Sequence, residues 1–135
     1  MSGIKVLLDT NLVIGLLKAE TNAVELLGAE SFNIQNCAIS QITRMELLSY
    51  PQLPADEERL IQDFLAHLVV LTIDESIEQV AIQFRRTQKV KLPDAIIAAT
   101  AQVHGLRLLT LDRELAAKFK AQYHSSSSEE ADPSC

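Results

Sequence analysis

The sequence predicts an α/β domain built on a central parallel sheet. Short apolar segments alternate with longer segments of helical periodicity along the 135 residues, and this alternation is typical of parallel sheets covered by helices. The first apolar segment, IKVLL, is continuous, as in strands that are buried on both faces. The length suits one domain, which we assign to residues 1–124. The low-complexity sequence SSSSEEADPSC at 125–135 is predicted to form a disordered polar tail.

In the first half of the chain the predicted order is strand, two helices, strand and helix. The elements are a strand at 4–8, helices at 11–18 and 21–28, a strand at 32–40, and a helix that starts at Ser40 and stops before Pro51. Thr21 or Asn22 is the expected N-cap of the second helix, because either side chain can accept a backbone N–H, and Gly28 is its expected C-cap.

The second half repeats this alternation and ends on a helix. The elements are a helix at 55–68, a strand at 69–73, helices at 76–88 and 91–105, a strand at 106–110 and a helix at 112–122. The helix at 55–68 has apolar residues at the spacing of one helical face and acids in its first turn. The helix at 91–105 has Pro93 in its first turn and Gly105 at its end, a start and stop pair typical of helices.

The composition argues against several classes of protein. Aromatic residues make up 4% and there is no Trp, which argues against nucleic-acid recognition by base stacking. Cys37 in a predicted strand and Cys135 in the tail predict one core thiol and one loose thiol in a reducing cytoplasm. The N-terminus has no signal-peptide pattern, and no apolar run reaches the length of a membrane span.

The net charge is −6, which argues against a large nonspecific basic surface. Three of the acids, Glu129, Glu130 and Asp132, lie in the predicted tail. A polyanionic substrate is therefore compatible with the domain, provided that a metal ion and local Lys or Arg side chains neutralise it.

Four acids lie where predicted strands end or where the following helices run: Asp9, Glu46, Asp94 and Asp112. In open parallel sheets, ligands bind beyond the carboxyl ends of the strands. Three of the acids have a structural alternative. Asp112 is a candidate N-cap, Asp94 a complement to a helix dipole, and Glu46 the partner of Thr43 in a capping box. Asp9 has the weakest alternative, because an unpaired acid at the end of a buried strand is costly.

A cluster of carboxylates also suggests its own chemistry. Like charges repel and raise each other's pKa, and a hard divalent cation removes that repulsion. Magnesium or manganese binds carboxylate oxygen and keeps several waters, and it can lower the pKa of a bound water to make a nucleophile. The pattern therefore favours a metal-dependent nuclease.

Four segments of the sequence resemble the motifs of PIN-domain ribonucleases, and most of all those of VapC-type toxins of bacterial toxin–antitoxin pairs. These segments are LLDTNLVIGLL, AISQITRMELL, KLPDAIIAATA and LLTLDREL. The resemblance runs from about Ile4 to Phe119, nearly the whole predicted domain, and the order and spacing of all four segments make it specific. It implies a three-layer α/β/α PIN-like domain with a central parallel sheet of four or five strands.

The resemblance also implies roles for individual residues. It assigns Asp9, Glu46, Asp94 and Asp112 as the catalytic, metal-binding acids, Asn11 as the polar residue that accompanies the first acid, and Thr110 as the hydroxyl residue before the last. In the family these acids bind one or two Mg²⁺ or Mn²⁺ ions that activate water to cut an RNA phosphodiester. A cognate antitoxin, a homodimer and a cytoplasmic location are also implied.

The sequence departs from the family pattern near its end. PIN domains usually close with a short fifth strand after the last helix, but KFKAQYHSSSS has little strand signal, so that strand is expected to be short or missing. The last motif usually has a second acid or Asn close behind it. Glu114 is either that auxiliary acid or, as we favour, an ordinary acid in a first helical turn.

Basic residues near the motifs are candidates for phosphate contacts. Arg44 and Lys91 lie two and three positions before their acids, so we expect them to meet phosphate at the rim, where such contacts position a chain without reading its sequence. Solvated surface charge is an equally good interpretation for Arg85, Arg86 and Lys89. His67 and His104 are expected to be structural or exposed, because oxygen ligands suit this site better than imidazole. Arg113 is a further basic residue near the motifs, and we assign it no role.

Other functions fit the residues less well. A haloacid-dehalogenase-like phosphatase needs a second acid two positions after the first, where this chain has Asn11. A receiver domain needs a paired early acid and a late Lys, which DTN and LLTLD do not supply. A stand-alone RNA-processing PIN nuclease and a catalytically silent PIN scaffold that acts as a binding module remain as alternatives.

Overall fold

Four short parallel strands form the sheet at the centre of the computed structural model, which describes residues 3–29 and 33–131, with side chains up to Gln122. The strands are β1 (Val6–Leu8), β2 (Cys37–Ser40), β3 (Val69–Leu71) and β4 (Arg107–Leu109). Their order across the sheet is β3-β2-β1-β4. In the parallel register, Val6 lies opposite both Cys37 and Arg107. The first strand therefore lies between the second and the last.

Seven α-helices of the described residues flank the sheet. They are α1 (Thr10–Leu17), α2 (Thr21–Ala29), α3 (Gln41–Leu48), α4 (Ala55–Leu65), α5 (Glu75–Thr87), α6 (Leu92–Val103) and α7 (Arg113–Ala131). The helical periodicity expected for each of these segments is confirmed. In the part of the chain that the structure describes, no helix is long and apolar enough to cross a membrane.

The two faces of the sheet are covered by different helices. Val6 and Leu8 of β1 pack into a core with buried residues of α1 and α4. Leu7, which points to the opposite face, packs with Ile97 and Ala101 of α6. All three strand residues are fully buried, as the continuous apolar run predicted. The structure therefore confirms the three-layer α/β/α architecture with four parallel strands.

Helix α1 approaches α2 closely at one point. Gly15 is a buried residue of α1, and a Cβ built on it would lie 2.7 Å from the Cβ of Ala23 in α2. Real Cβ atoms essentially never come that close. Gly15 therefore allows the two helices to pack at this distance. The first residues of α1, Thr10 and Asn11, belong to the site described below.

Several element boundaries differ from the sequence prediction. The strand predicted at 32–40 starts only at Cys37, because Asn33 caps a one-turn 3₁₀ helix at Ile34–Asn36 and accepts the backbone N–H of Gln35. Residue 32 lies outside the described residues. Helix α2 runs through Gly28 to Ala29, so the expected C-cap lies inside the helix.

The C-terminal helix is longer than predicted. Helix α7 continues to Ala131 and crosses the expected boundary between domain and tail at residue 125. Residues 132–135 lie outside the described part of the chain, so the tail at 125–135 stays a prediction. The described residues contain four strands.

Candidate active site

Asp9 lies directly after β1 and is almost completely buried, with 3% of its surface exposed. Its backbone N–H donates to the carbonyl of Leu109 in β4. One carboxylate oxygen, Oδ1, accepts the backbone N–H of Thr10 at 2.8 Å, and the other, Oδ2, accepts the hydroxyl of Thr110 at 2.6 Å. The first residue of α1 therefore fixes one oxygen, and the residue that follows β4 fixes the other.

Burial raises the pKa of Asp9 above its usual value, and the hydrogen bonds from Thr110 and Thr10 partly offset that rise. The negative charges of Asp94 and Glu46 raise the pKa further. Of the side chains that the structure describes, no cation is among the groups that act on Asp9. A buried carboxylate held by hydrogen bonds but facing other carboxylates is an arrangement that a positive ion would relieve.

Glu46 lies in the second turn of α3, which begins after Ser40. The Ser40 hydroxyl accepts the backbone N–H of Ile42, so Ser40 is the N-cap and the capping box of Thr43 with Glu46 is not formed. Instead, Glu46 Oε1 accepts the hydroxyl of Thr10 at 2.7 Å. Thr43 is fully buried and its hydroxyl lies 2.9 Å from that of Thr10.

Asp94 lies in the first turn of α6 and is half-buried. Its pKa is raised, first by burial and then by the charges of Asp112 and Glu46, while the nearby Lys91 lowers it. Asp9 also responds to the charges of Asp94 and Glu46. Asp94 therefore lies within electrostatic reach of each of the other three predicted acids at the carboxyl end of the sheet.

Asp112 caps the last helix. Its Oδ1 accepts the backbone N–H groups of Glu114 and Leu115 at 3.0 and 3.1 Å, which is the N-cap role that the sequence left open. The backbone N–H of Asp112 donates to the Thr110 hydroxyl. Capping and proximity to Asp94 occur together, so the cap does not remove Asp112 from the cluster.

Asn11 accepts a hydrogen bond from the turn between β4 and Asp112. Its side-chain oxygen accepts the backbone N–H of Leu111 at 3.2 Å and lies 3.3 Å from the Thr110 hydroxyl. That hydroxyl has a single proton and is closer to Asp9, so its main acceptor is Asp9. Asn11 and Thr110 therefore join the end of β1 to the end of β4.

The donor set fits a hard divalent cation in its chemistry. Its side chains offer carboxylate oxygen, and burial together with the charges of neighbouring acids raises the pKa of Asp9 and Asp94. Among residues 3–29 and 33–122, no three His, Cys, Asp or Glu side chains converge closely enough to chelate one ion as they stand. Mg²⁺ commonly takes one or two carboxylates and keeps its other ligands as water. The arrangement therefore suits a partly hydrated ion better than a closed cage.

The remaining candidates are placed around this cluster. Lys91 is exposed and close enough to Asp94 to lower its pKa, and Arg44 is half-buried on α3. Glu114 pairs with Lys118 one turn later at 2.7 Å, as expected for an ordinary acid of a first helical turn. His67 is exposed and His104 is half-buried at the C-cap of α6.

Thr10 is the site residue that sequence reasoning missed. It follows Asp9 directly, and its position in DTN was the available signal. Its partners could not be read from the sequence, because Thr43 and Glu46 lie 33 and 36 residues away and meet it only once α3 packs beside α1.

Comparison with known proteins places this geometry in a family. Residues 6–120 match the PIN domain family. A chain of a toxin–antitoxin complex from Klebsiella pneumoniae is 34% identical, with a TM-score of 0.72 over 83% of this chain and 91% of that one. A chain of DNA-bound VapBC from Salmonella typhimurium is 28% identical, with a TM-score of 0.63 over 76% and 83%. FitAcB from Neisseria gonorrhoeae, at 24% identity and a TM-score of 0.66 over 85% and 93%, shares the fold. No curated protein matches the sequence.

Proposed function

Because this chain belongs to the PIN-domain family, whose members are in general nucleases, we propose that it is a divalent-metal-dependent endoribonuclease that hydrolyses RNA phosphodiesters. The observation that supports this most is the cluster of Asp9, Glu46, Asp94 and Asp112. Burial, and then the charges of the neighbouring acids, raise the pKa of Asp9 and of Asp94.

The four acids would hold Mg²⁺ or Mn²⁺ directly or through water. When bound, such a cation lowers the pKa of a coordinated water and takes up charge on a phosphate oxygen. The chain's own contribution is orientation. Thr110 and the backbone of Thr10 fix both oxygens of Asp9, and burial excludes bulk water from one side of that carboxylate.

Arg44 and Lys91 would contact the phosphates that flank the scissile bond. Both lie on elements that carry one of the acids, α3 and the start of α6. A cation beside the cluster attracts a polyanion that the acids alone would repel. Such contacts position RNA without reading its sequence.

We further propose that the protein is the toxin of a toxin–antitoxin pair and acts in the cytoplasm as a homodimer. The support is the similarity to chains of the complexes from Klebsiella pneumoniae and Salmonella typhimurium. An apolar groove of about 510 Å³ between α1, α3 and α4 offers a surface for the antitoxin. Tyr50 and Leu60 on its wall are 57% and 55% exposed, and large exposed apolar groups commonly mark partner surfaces.

Two other functions share the fold: a stand-alone RNA-processing nuclease and a silent scaffold that acts as a binding module. The nuclease ranks above the scaffold because all four acids are present and Asp94 lies within electrostatic reach of the other three. Expression in a bacterial host with and without the neighbouring reading frame separates the toxin from the stand-alone enzyme. Unimpaired growth with the protein alone would count against a toxin.

The test of the nuclease is Asp9→Asn, with Asp63→Asn on the exposed surface of α4 as the matched control. We expect Asp9→Asn to abolish both RNA cleavage and Mn²⁺ binding in the purified protein, while Asp63→Asn retains both. If cleavage and metal binding persist unchanged in Asp9→Asn, the metal-nuclease proposal is wrong.

A further inference from the structure

The hydroxyl of Thr10 lies between two side chains of α3. It is 2.7 Å from Glu46 Oε1 and 2.9 Å from the hydroxyl of Thr43. An ionised carboxylate can only accept, so Thr10 donates to Glu46. A hydroxyl has one proton, so the contact with Thr43 must be donated by Thr43. The hydrogen bonds therefore run in one direction, from Thr43 to Thr10 to Glu46.

Thr10 also holds the neighbouring acid. Its backbone N–H donates to Asp9 Oδ1 at 2.8 Å, while its side chain donates to Glu46. One residue thus fixes two carboxylates, one that ends β1 and one that projects from α3. These two acids raise the energy of the folded protein through their repulsion, and the coulombic effect of Glu46 on Asp9 reflects that closeness.

Thr43 differs from a threonine that merely fills the core. Thr100 in α6 is equally buried, and its hydroxyl donates to the carbonyl of Ile96 one turn earlier, the usual bond of a buried helical threonine. Thr43 is also fully buried in a helix, but its hydroxyl is aimed across the helix interface at Thr10. In this orientation the Thr43 hydroxyl donates to Thr10, which in turn donates to Glu46.

We propose that Thr10 is a positioning residue that fixes the Glu46 carboxylate for cation binding, with Thr43 orienting the Thr10 hydroxyl. This inference rests on the proposed metal-dependent function. A glutamate side chain has three rotatable bonds and loses substantial rotamer freedom when it is fixed. The hydrogen bond from Thr10 engages Oε1 and restricts the Glu46 side chain before a cation binds. The other oxygen, Oε2, would then be available to the cation in one orientation.

The primary test measures Mn²⁺ affinity by electron paramagnetic resonance of the free ion, with far-UV circular dichroism to verify folding. Removing a partner that orients a metal ligand typically weakens metal binding about 10–100-fold, and we expect a loss in this range for Thr10→Val. Thr10→Ser restores the hydroxyl and is expected to bind within about threefold of wild type, since it keeps the orienting bond. Thr100→Val makes the same change in an equally buried threonine and should leave the affinity unchanged.

A double-mutant cycle assigns the effect to Glu46. Once Glu46→Gln has removed the carboxylate, adding Thr10→Val should cause no further loss of Mn²⁺ affinity. Equal losses from Thr10→Val with and without Glu46→Gln would overturn the positioning role. So would a Thr10→Val protein that is folded and binds Mn²⁺ as the wild type does, while Glu46→Gln binds more weakly.

The same measurements separate this inference from the function on which it rests. A wild-type protein that binds no Mn²⁺ would overturn both. A wild type whose affinity depends on Glu46 but not on the Thr10 hydroxyl would overturn the positioning role alone and leave the metal-dependent function standing.

Discussion

Replacing Gly15 with alanine should destabilise the protein even though alanine favours helices. The added Cβ would lie 2.7 Å from the Cβ of Ala23 and 3.2 Å from Glu20 Oε1. The Ala23 Cβ is attached directly to the backbone of α2, so it cannot rotate away. Either α1 and α2 separate or both distort, and the close packing of protein interiors makes either response costly.

The magnitude follows from two opposing effects. Glycine to alanine within a helix stabilises by about 1 kcal/mol, while inserting a methyl group into a packed core costs about 1–3 kcal/mol. Gly28 is the matched control, because it lies inside α2 and a Cβ there would meet nothing within 4 Å. The stabilisation from the higher helix propensity of alanine is common to both variants. Gly15→Ala should therefore be less stable than Gly28→Ala by the packing cost alone, about 1–3 kcal/mol.

Urea unfolding followed by far-UV circular dichroism measures this difference, since the chain has no Trp for fluorescence. We expect Gly28→Ala to unfold at higher urea than the wild type and Gly15→Ala at lower urea, with similar m-values. Adding Ala23→Gly to Gly15→Ala removes the clashing methyl group and should recover part of the loss through a favourable coupling. The reasoning is refuted if Gly15→Ala is as stable as Gly28→Ala.

Further predictions concern the carboxylate cluster and its rim. Without divalent cation, Asp94→Asn should raise the unfolding free energy more at pH 7 than at pH 4. The folded-state pKa of Asp94 is raised above 3.8, so the destabilisation by its charge grows as pH rises through that pKa; urea unfolding at both pH values measures it. Mg²⁺ at 100 times its Kd should stabilise the wild type by about 2.7 kcal/mol, and Asp9→Asn should abolish this shift in thermal unfolding. Arg44→Met and Lys91→Met should each weaken RNA binding and reduce the slope of log K against log salt by about 0.7 per lost phosphate contact. Filter binding at several salt concentrations measures the affinity and the slope. An unchanged slope would contradict the proposed phosphate contact.

The sequence was most informative where a single local rule decides the structure. A continuous apolar run predicted the buried strand β1, and its three residues are fully buried. Ser40 was expected to start a helix and is the N-cap of α3. The four acids were placed at the ends of predicted strands and in the following helices, and in the structure Asp94 lies within electrostatic reach of the other three.

The sequence was least informative where the partner is distant in the chain. The chain from Thr43 through Thr10 to Glu46 depends on how α3 packs beside α1, and no local spacing encodes that contact. The start of β2 was misplaced because Asn33 closes a turn with its own side chain, so residues 34–36 form a 3₁₀ helix and the strand starts at Cys37. Gly15 has no motif around it, and its importance comes from the position of Ala23 in another helix.

The pairing of β1 with β4 also decides when the site can exist. Asp9 and Thr110 are hydrogen bonded although 101 residues separate them, and the backbone of Asp9 is bonded to β4. A nascent chain that has emerged only through α5 contains Asp9 and Glu46, but it lacks Asp94, Thr110 and Asp112. The ribosome must therefore release nearly the whole domain before the cluster can close. For an enzyme of the proposed kind, this strand order would delay activity until residues through Asp112 have been synthesised.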